Sequence, residues 1–75
     1  MPQIEKIIRK MQEQPHGIRL AEAERVLFYY GYRLARKKGS HRHYINENGD
    51  VITLKNPLKA AYVIEILARI DRKKG

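Results

Sequence analysis

The chain has no cysteine, which excludes a disulfide framework, a thiolate nucleophile and cysteine-ligated zinc, and suits a reducing compartment. Its longest apolar runs are far too short to span a bilayer, and Met1-Pro2-Gln3-Ile4-Glu5-Lys6 lacks the basic-then-apolar plan of a signal peptide. A soluble, cytoplasmic protein with no membrane partner is expected. Gly17, Gly31, Gly39, Gly49 and Gly75 never gather into a phosphate-cradling loop, and no Ser-His-Asp set has supporting context. Acids do not cluster near the histidines, since Glu47 and Asp50 flank a turn and the others fall in helical segments. Two-metal nuclease chemistry therefore has no ligands to work with, and no cofactor is expected. Repeats and low-complexity segments are absent.

Negative charge is also scarce. Eight acids face sixteen Lys and Arg, leaving a formal charge of +8 on 75 residues. An excess of that size repels itself in the compact state, so a polyanion or acidic partner is expected to offset it. Nucleic acid is the commonest such partner, because each neutralised phosphate releases counterions; an anionic membrane surface or an acidic protein is the other kind. The length sets one domain, residues 1–75, near the lower limit at which a core stabilises itself unaided.

Along that domain the hydrophobic period changes from helical to strand-like and back. Pro2 suits a first helical turn, and Ile4, Ile7, Ile8 and Met11 follow at i, i+3, i+4, i+7, predicting an amphipathic helix over 2–14. Gln14-Pro15-His16-Gly17 then forms a short connection, in which His16 is expected to be solvated. Leu20, Ala23, Val26, Leu27 and Tyr30 predict a second helix closed by a left-handed cap at Gly31. Its consecutive Phe28, Tyr29 and Tyr30 cannot all face one core, so at least one ring is expected to be partly exposed. Packing under the first helix is the expected account of them, and a base-stacking or partner surface the alternative.

From Tyr32 the pattern alternates, Tyr32, Leu34 and Arg36 against Arg33, Ala35 and Lys37, predicting a strand that turns at Lys38-Gly39. A second strand runs from His41 to Asn46. The Asn48-Gly49 pair suggests a type I′ hairpin, and Val51-Ile52-Thr53-Leu54 is the returning strand. Asn56-Pro57 is read as the cap and first turn of a last helix carrying Ala60, Val63, Ile64, Leu67 and Ile70. Arg69, Arg72, Lys73 and Lys74 at its end complement the helix dipole. The predicted class is α+β, in the order α-α-β-β-β-α, with the helices covering one sheet face and the other face open. On the second strand Tyr44 is expected inside and His41 outside, which leaves Ile45 on the outward side.

The candidate site lies where that strand begins. Arg33, Arg36, Lys37, Lys38, His41, Arg42 and His43 form the densest run of cations in the chain, around the turn Gly39-Ser40. Cations at that density bind phosphate, and an imidazole among them can take or give a proton near neutral pH. His43 shares a face with His41 in a regular strand. It is either a second proton-transfer group or a plain sheet-surface residue.

The same residues carry a likeness. Tyr30-Gly31-Tyr32, the basic strand end Arg36-Lys37-Lys38 followed by Gly39-Ser40-His41, and Tyr44 after it are the first part. The Asn48-Gly49 turn, Ile52-Thr53-Leu54, and Leu58-Lys59 leading to Tyr62-Val63 and Ile66-Leu67 are the second. In this arrangement the chain resembles the HicA toxins, small ribonuclease partners of HicB antitoxins, over residues 19–74, about three quarters of its length. Residues 2–14 then make an extra N-terminal helix, and Lys55-Asn56-Pro57 stands where many relatives show a second histidine.

The resemblance implies a double-stranded-RNA-binding-domain-like fold and a metal-independent messenger-RNA interferase held silent by a HicB-like antitoxin. It makes His41 the catalytic residue, with Lys37, Lys38, Ser40, Arg42 and His43 as the RNA-binding set. Cleavage by the neighbouring 2′-hydroxyl needs a base, an acid for the leaving 5′-oxygen, and fixed positive charge, which suits an imidazole among lysines and arginines. The alternative is a non-catalytic RNA-binding module of the same shape. A basic face that simply docks on an acidic protein is a third possibility, contained in the first.

Overall fold

The structure is a computed structural model that describes residues 3–74, with side chains described over 3–70. Pro2 and the side chains of Arg72, Lys73 and Lys74 lie outside the described residues. The elements are α1 (Gln3–Glu13), a 3-10 turn (Pro15–Gly17) where His16 is exposed, α2 (Leu20–Tyr29), β1 (Arg33–Lys38), β2 (His41–Ile45), β3 (Val51–Lys55) and α3 (Ala60–Lys74). The strands form one antiparallel sheet in the order β1-β2-β3. The predicted class and element order are therefore those of the molecule. No helix among the described residues is long and apolar enough to cross a membrane.

Ile7 and Met11 on α1, Ala23, Val26 and Leu27 on α2, and Val63, Ile66 and Ile70 on α3 are buried with Tyr44, Ile52 and Leu54 from the sheet. Each fully buried aliphatic side chain contributes about 1.5–3 kcal/mol, so this one cluster holds three helices on one sheet face. A Lys10–Glu22 ion pair at 3.2 Å ties α1 to α2. The backbone N–H of Arg19 also donates to Glu22 at 3.0 Å and is the chief cause holding that carboxyl below its usual range.

The end of α2 shows how one residue type sets the chain path. Gly31 has φ +92°, the Gly31 N–H donates to the Phe28 carbonyl at 3.2 Å, and the Tyr32 N–H donates to the Leu27 carbonyl at 2.9 Å. That is the paired-bond ending that glycine permits, and it turns the chain into β1 with Tyr32 buried.

Three local expectations need correction. Only Gly49 of the Asn48-Gly49 pair has positive φ (+82°), whereas a type I′ turn needs it at both central residues. The Asn46 side chain decides the turn instead. Its Oδ1 accepts from the Asn48 and Asp50 N–H groups at 3.0 and 2.9 Å, and the Gly49 N–H donates to the Asn46 carbonyl. Asn56 is not the cap of α3, because its N–H donates to the Ser40 carbonyl at 3.0 Å and keeps the chain on the sheet; the peptide to Pro57 is cis. The first helical bonds instead end on the Lys59 carbonyl, and a residue preceding proline favours extended backbone.

The third correction concerns β1. Its register slips between Leu34 and Arg36, a bulge at Ala35. Simple alternation would put Leu34 and Arg36 on one face. With the extra residue, Leu34 sits opposite Tyr44 while Arg36 sits opposite His43, on the other face.

Two buried tyrosines fasten the sheet to the helices. Tyr44 donates its hydroxyl to Glu24 on α2 at 2.6 Å, and Tyr32 donates to Asp50, which also pairs with Arg69 of α3. Burial first, and then the carboxylate partner, pushes both phenols from 10.0 up to about 12. A group whose folded pKa is raised stabilises fully below its unfolded value and loses that contribution as pH climbs through the folded one. Tyr32 and Tyr44 are thus expected to withdraw stability between pH 10 and about 12, on the order of 2 kcal/mol each. Circular dichroism against pH checks this. The double variant Tyr32→Phe/Tyr44→Phe should show a flatter loss of structure over that window than the parent, and identical slopes would contradict the assignment.

Candidate nucleic-acid interface

Paired residues on antiparallel strands share a face, so the register writes out the open face as rows. The first row is Lys38–His41–Lys55, the second Arg36–His43–Thr53, and the third Arg33–Ile45–Val51. Tyr44 is fully buried on the opposite side and His41 is exposed, while Ile45 is half-buried beside exposed Val51. Cations, two imidazoles and one hydroxyl make up the first two rows, with no carboxylate in any of the three.

The two-residue turn Gly39-Ser40 brings the first row together. Gly39 has φ +58° and no other residue there has positive φ, the pattern of a type II′ turn, which sets Lys38 directly opposite His41. Ser40 is exposed in that turn, and its carbonyl holds the Asn56 N–H, so the end of β3 stays docked and Lys55 remains beside His41. The His41 side chain makes no hydrogen bond among the described residues. His43 is half-buried, and its Nδ1 lies 2.8 Å from Thr53 Oγ1.

Of the RNA-binding residues expected from sequence, Lys38, Ser40 and His43 accompany His41. Lys37 and Arg42 do not. They pair with each other on the helix-side face, where Arg42 reaches Glu24 at 3.4 Å, the carboxylate that also accepts from Tyr44. In their place the sheet supplies Arg36 and Lys55, which the RNA-binding set expected from sequence leaves out, although Arg36 belongs to the cation run. The Ala35 bulge hides the first; the second was legible, because a regular β2–β3 hairpin places the end of β3 opposite the start of β2.

The aromatic run lies elsewhere. Phe28 is 49% exposed and packs edge-on against Tyr44 at 6.1 Å on the helix side, next in the sheet to Leu34. Tyr29 and Tyr30 meet edge-to-face at 5.2 Å and line a groove with Ile4 and Ile8 of α1. Among the described residues no Phe or Tyr belongs to the three rows, so their only rings are the imidazoles of His41 and His43.

The carboxylates near the sheet are engaged by other side chains, and one of them, Glu65, lines a hollow at the β3 edge with Val51 and Thr53. Glu24 is tied to Tyr44 and Arg42, Asp50 to Tyr32 and Arg69, and Glu65 to Arg69 at 2.9 Å. Among the described residues no three His, Asp or Glu side chains converge as a metal site. What the face can do is attract a phosphodiester and place an imidazole against it. Comparison with family models, curated proteins and solved structures finds no match to this chain.

Proposed function

We propose that the protein is an endoribonuclease, the toxin of a type II toxin–antitoxin pair, which cleaves messenger RNA through His41 without a metal and is silenced by a HicB-like antitoxin. The observation that carries this reading is the row Lys38–His41–Lys55, an exposed histidine set opposite a lysine on each side, in a row that contains no carboxylate. The likeness of residues 19–74 to HicA toxins adds the reaction class.

The chemistry follows from the row. Lys38, Lys55 and Arg36 draw the phosphodiester to the sheet and stabilise the extra negative charge of the five-coordinate phosphorane. His41 takes the proton of the adjacent 2′-hydroxyl as its oxygen attacks phosphorus. An acidic antitoxin lying over the same face would neutralise the cations that otherwise hold phosphate, and so block substrate and relieve repulsion together.

Cleavage is expected to persist in excess chelator and to leave 2′,3′-cyclic or 3′-phosphate ends. Gel analysis of end-labelled oligoribonucleotides, with and without chelator, checks both. Products ending in a 3′-hydroxyl, or activity that needs an added divalent ion, would sink the 2′-hydroxyl mechanism.

A further inference from the structure

We infer that His43, held by Thr53, is the general acid of the cleavage in which His41 is the base; the inference rests on the ribonuclease reading above. His41 and His43 are two positions apart on β2, so their Cα atoms are about 7 Å apart and both side chains leave the open face. In-line displacement at phosphorus needs a base and an acid on opposite sides of the reacting centre, each one hydrogen bond from its oxygen. Neighbouring same-face positions on a single strand supply two such groups with the phosphate between them.

The contact with Thr53 distinguishes the two rings. A hydroxyl both donates and accepts, so Thr53 Oγ1 can donate to a bare Nδ1 and accept from Nδ1–H once the ring is charged. The His43 ring therefore keeps its orientation in both protonation states. With Nδ1 engaged, Nε2 holds the one hydrogen free to leave, and Nε2 has no hydrogen-bond partner among the described residues. His41 has no such tether. Arg36, opposite His43, and Lys38 and Lys55, opposite His41, face the phosphoryl oxygens.

In the reaction the 2′-oxygen forms its bond to phosphorus and gives its proton to a ring nitrogen of neutral His41. The bond from phosphorus to the 5′-oxygen breaks with its electron pair on oxygen, and Nε2–H of protonated His43 supplies that oxygen's proton. The products are a 2′,3′-cyclic phosphate and a 5′-hydroxyl, with His41 charged and His43 neutral, and exchange with water resets both. Thr53 acts as a positioning residue.

The test compares a single-stranded oligoribonucleotide with uridine 3′-(4-nitrophenyl phosphate), whose leaving group departs without a proton. His43→Gln is expected to lose roughly 10²–10³-fold on the oligonucleotide and to stay within about fivefold of the parent on the nitrophenyl ester, which also shows that the variant folds. His41→Ala should fail on both substrates. Thr53→Val should lower kcat on the oligonucleotide about tenfold with KM unchanged, and should shift the ¹⁵N resonances of the His43 ring but not those of His41. Parental cleavage of the oligonucleotide by His43→Gln, or equal losses on both substrates, would overturn the assignment. If the parent cleaves neither substrate, the ribonuclease reading falls and takes this inference with it; if the parent cleaves and His43→Gln is indifferent, this inference falls alone.

Discussion

Replacing His41 with alanine is expected to lower RNA cleavage by roughly 10²–10⁴-fold, the range lost when a positioned acid or base is removed. Growth inhibition on expression should disappear with it. The loss can be read as chemistry because the ring is exposed, makes no hydrogen bond among the described residues and lies on the face away from the core. Surface changes of that kind usually alter stability by no more than about 0.5 kcal/mol. The denaturation midpoint of His41→Ala should accordingly match the parent's, and so should its affinity for an uncleavable 2′-deoxy oligonucleotide. A non-catalytic RNA-binding module would behave differently, since one neutral imidazole contributes little to affinity that comes from phosphate neutralisation and there would be no turnover to lose. Parental cleavage rates in His41→Ala would remove the catalytic role of this residue.

Helix positions are legible in this sequence because several residues repeat the same information. Ile4, Ile7, Ile8 and Met11 define the α1 stripe together, and Ile7 and Met11 are buried as the spacing predicts. Gly31 is legible by itself, since a left-handed cap is open to few other residues. Strand faces are less secure, because one inserted residue reverses every side chain beyond it. Alternation read from Tyr32 places Leu34 correctly on the Tyr44 side and then misplaces Arg36, Lys37 and Lys38 as a group, because nothing in Leu-Ala-Arg announces a bulge at Ala35. The Asn48-Gly49 turn fails for a related reason. The dipeptide suits type I′, yet the Asn46 side chain satisfies two backbone N–H groups and favours another geometry, a competition that dipeptide preference does not register. For the site, the histidine is legible and its company is only partly so, since Lys37 and Arg42 are near it in sequence but across the sheet from it.

That division of the cations has a large measurable consequence. Changing Arg36, Lys38 and Lys55 together to glutamine is expected to flatten the dependence of log affinity on log salt by about 2, since each phosphate neutralised on a single strand contributes about 0.7 to the slope. A tenfold rise in salt should then cost the triple variant about a hundredfold less affinity than it costs the parent. Lys37→Gln with Arg42→Gln removes two cations from the same stretch of sequence, but from the helix-side face, and should leave the slope unchanged. Arg42 also pairs with Glu24 beneath Tyr44, so the double variant should melt earlier than the parent even though its RNA affinity persists. Fluorescence anisotropy of a labelled 2′-deoxy oligonucleotide over a salt series, with melting curves alongside, separates the two effects. A flattened slope in the Lys37/Arg42 pair together with an unaltered slope in the triple would put the nucleic acid on the helix side of β1, and His41 could not then reach its phosphate.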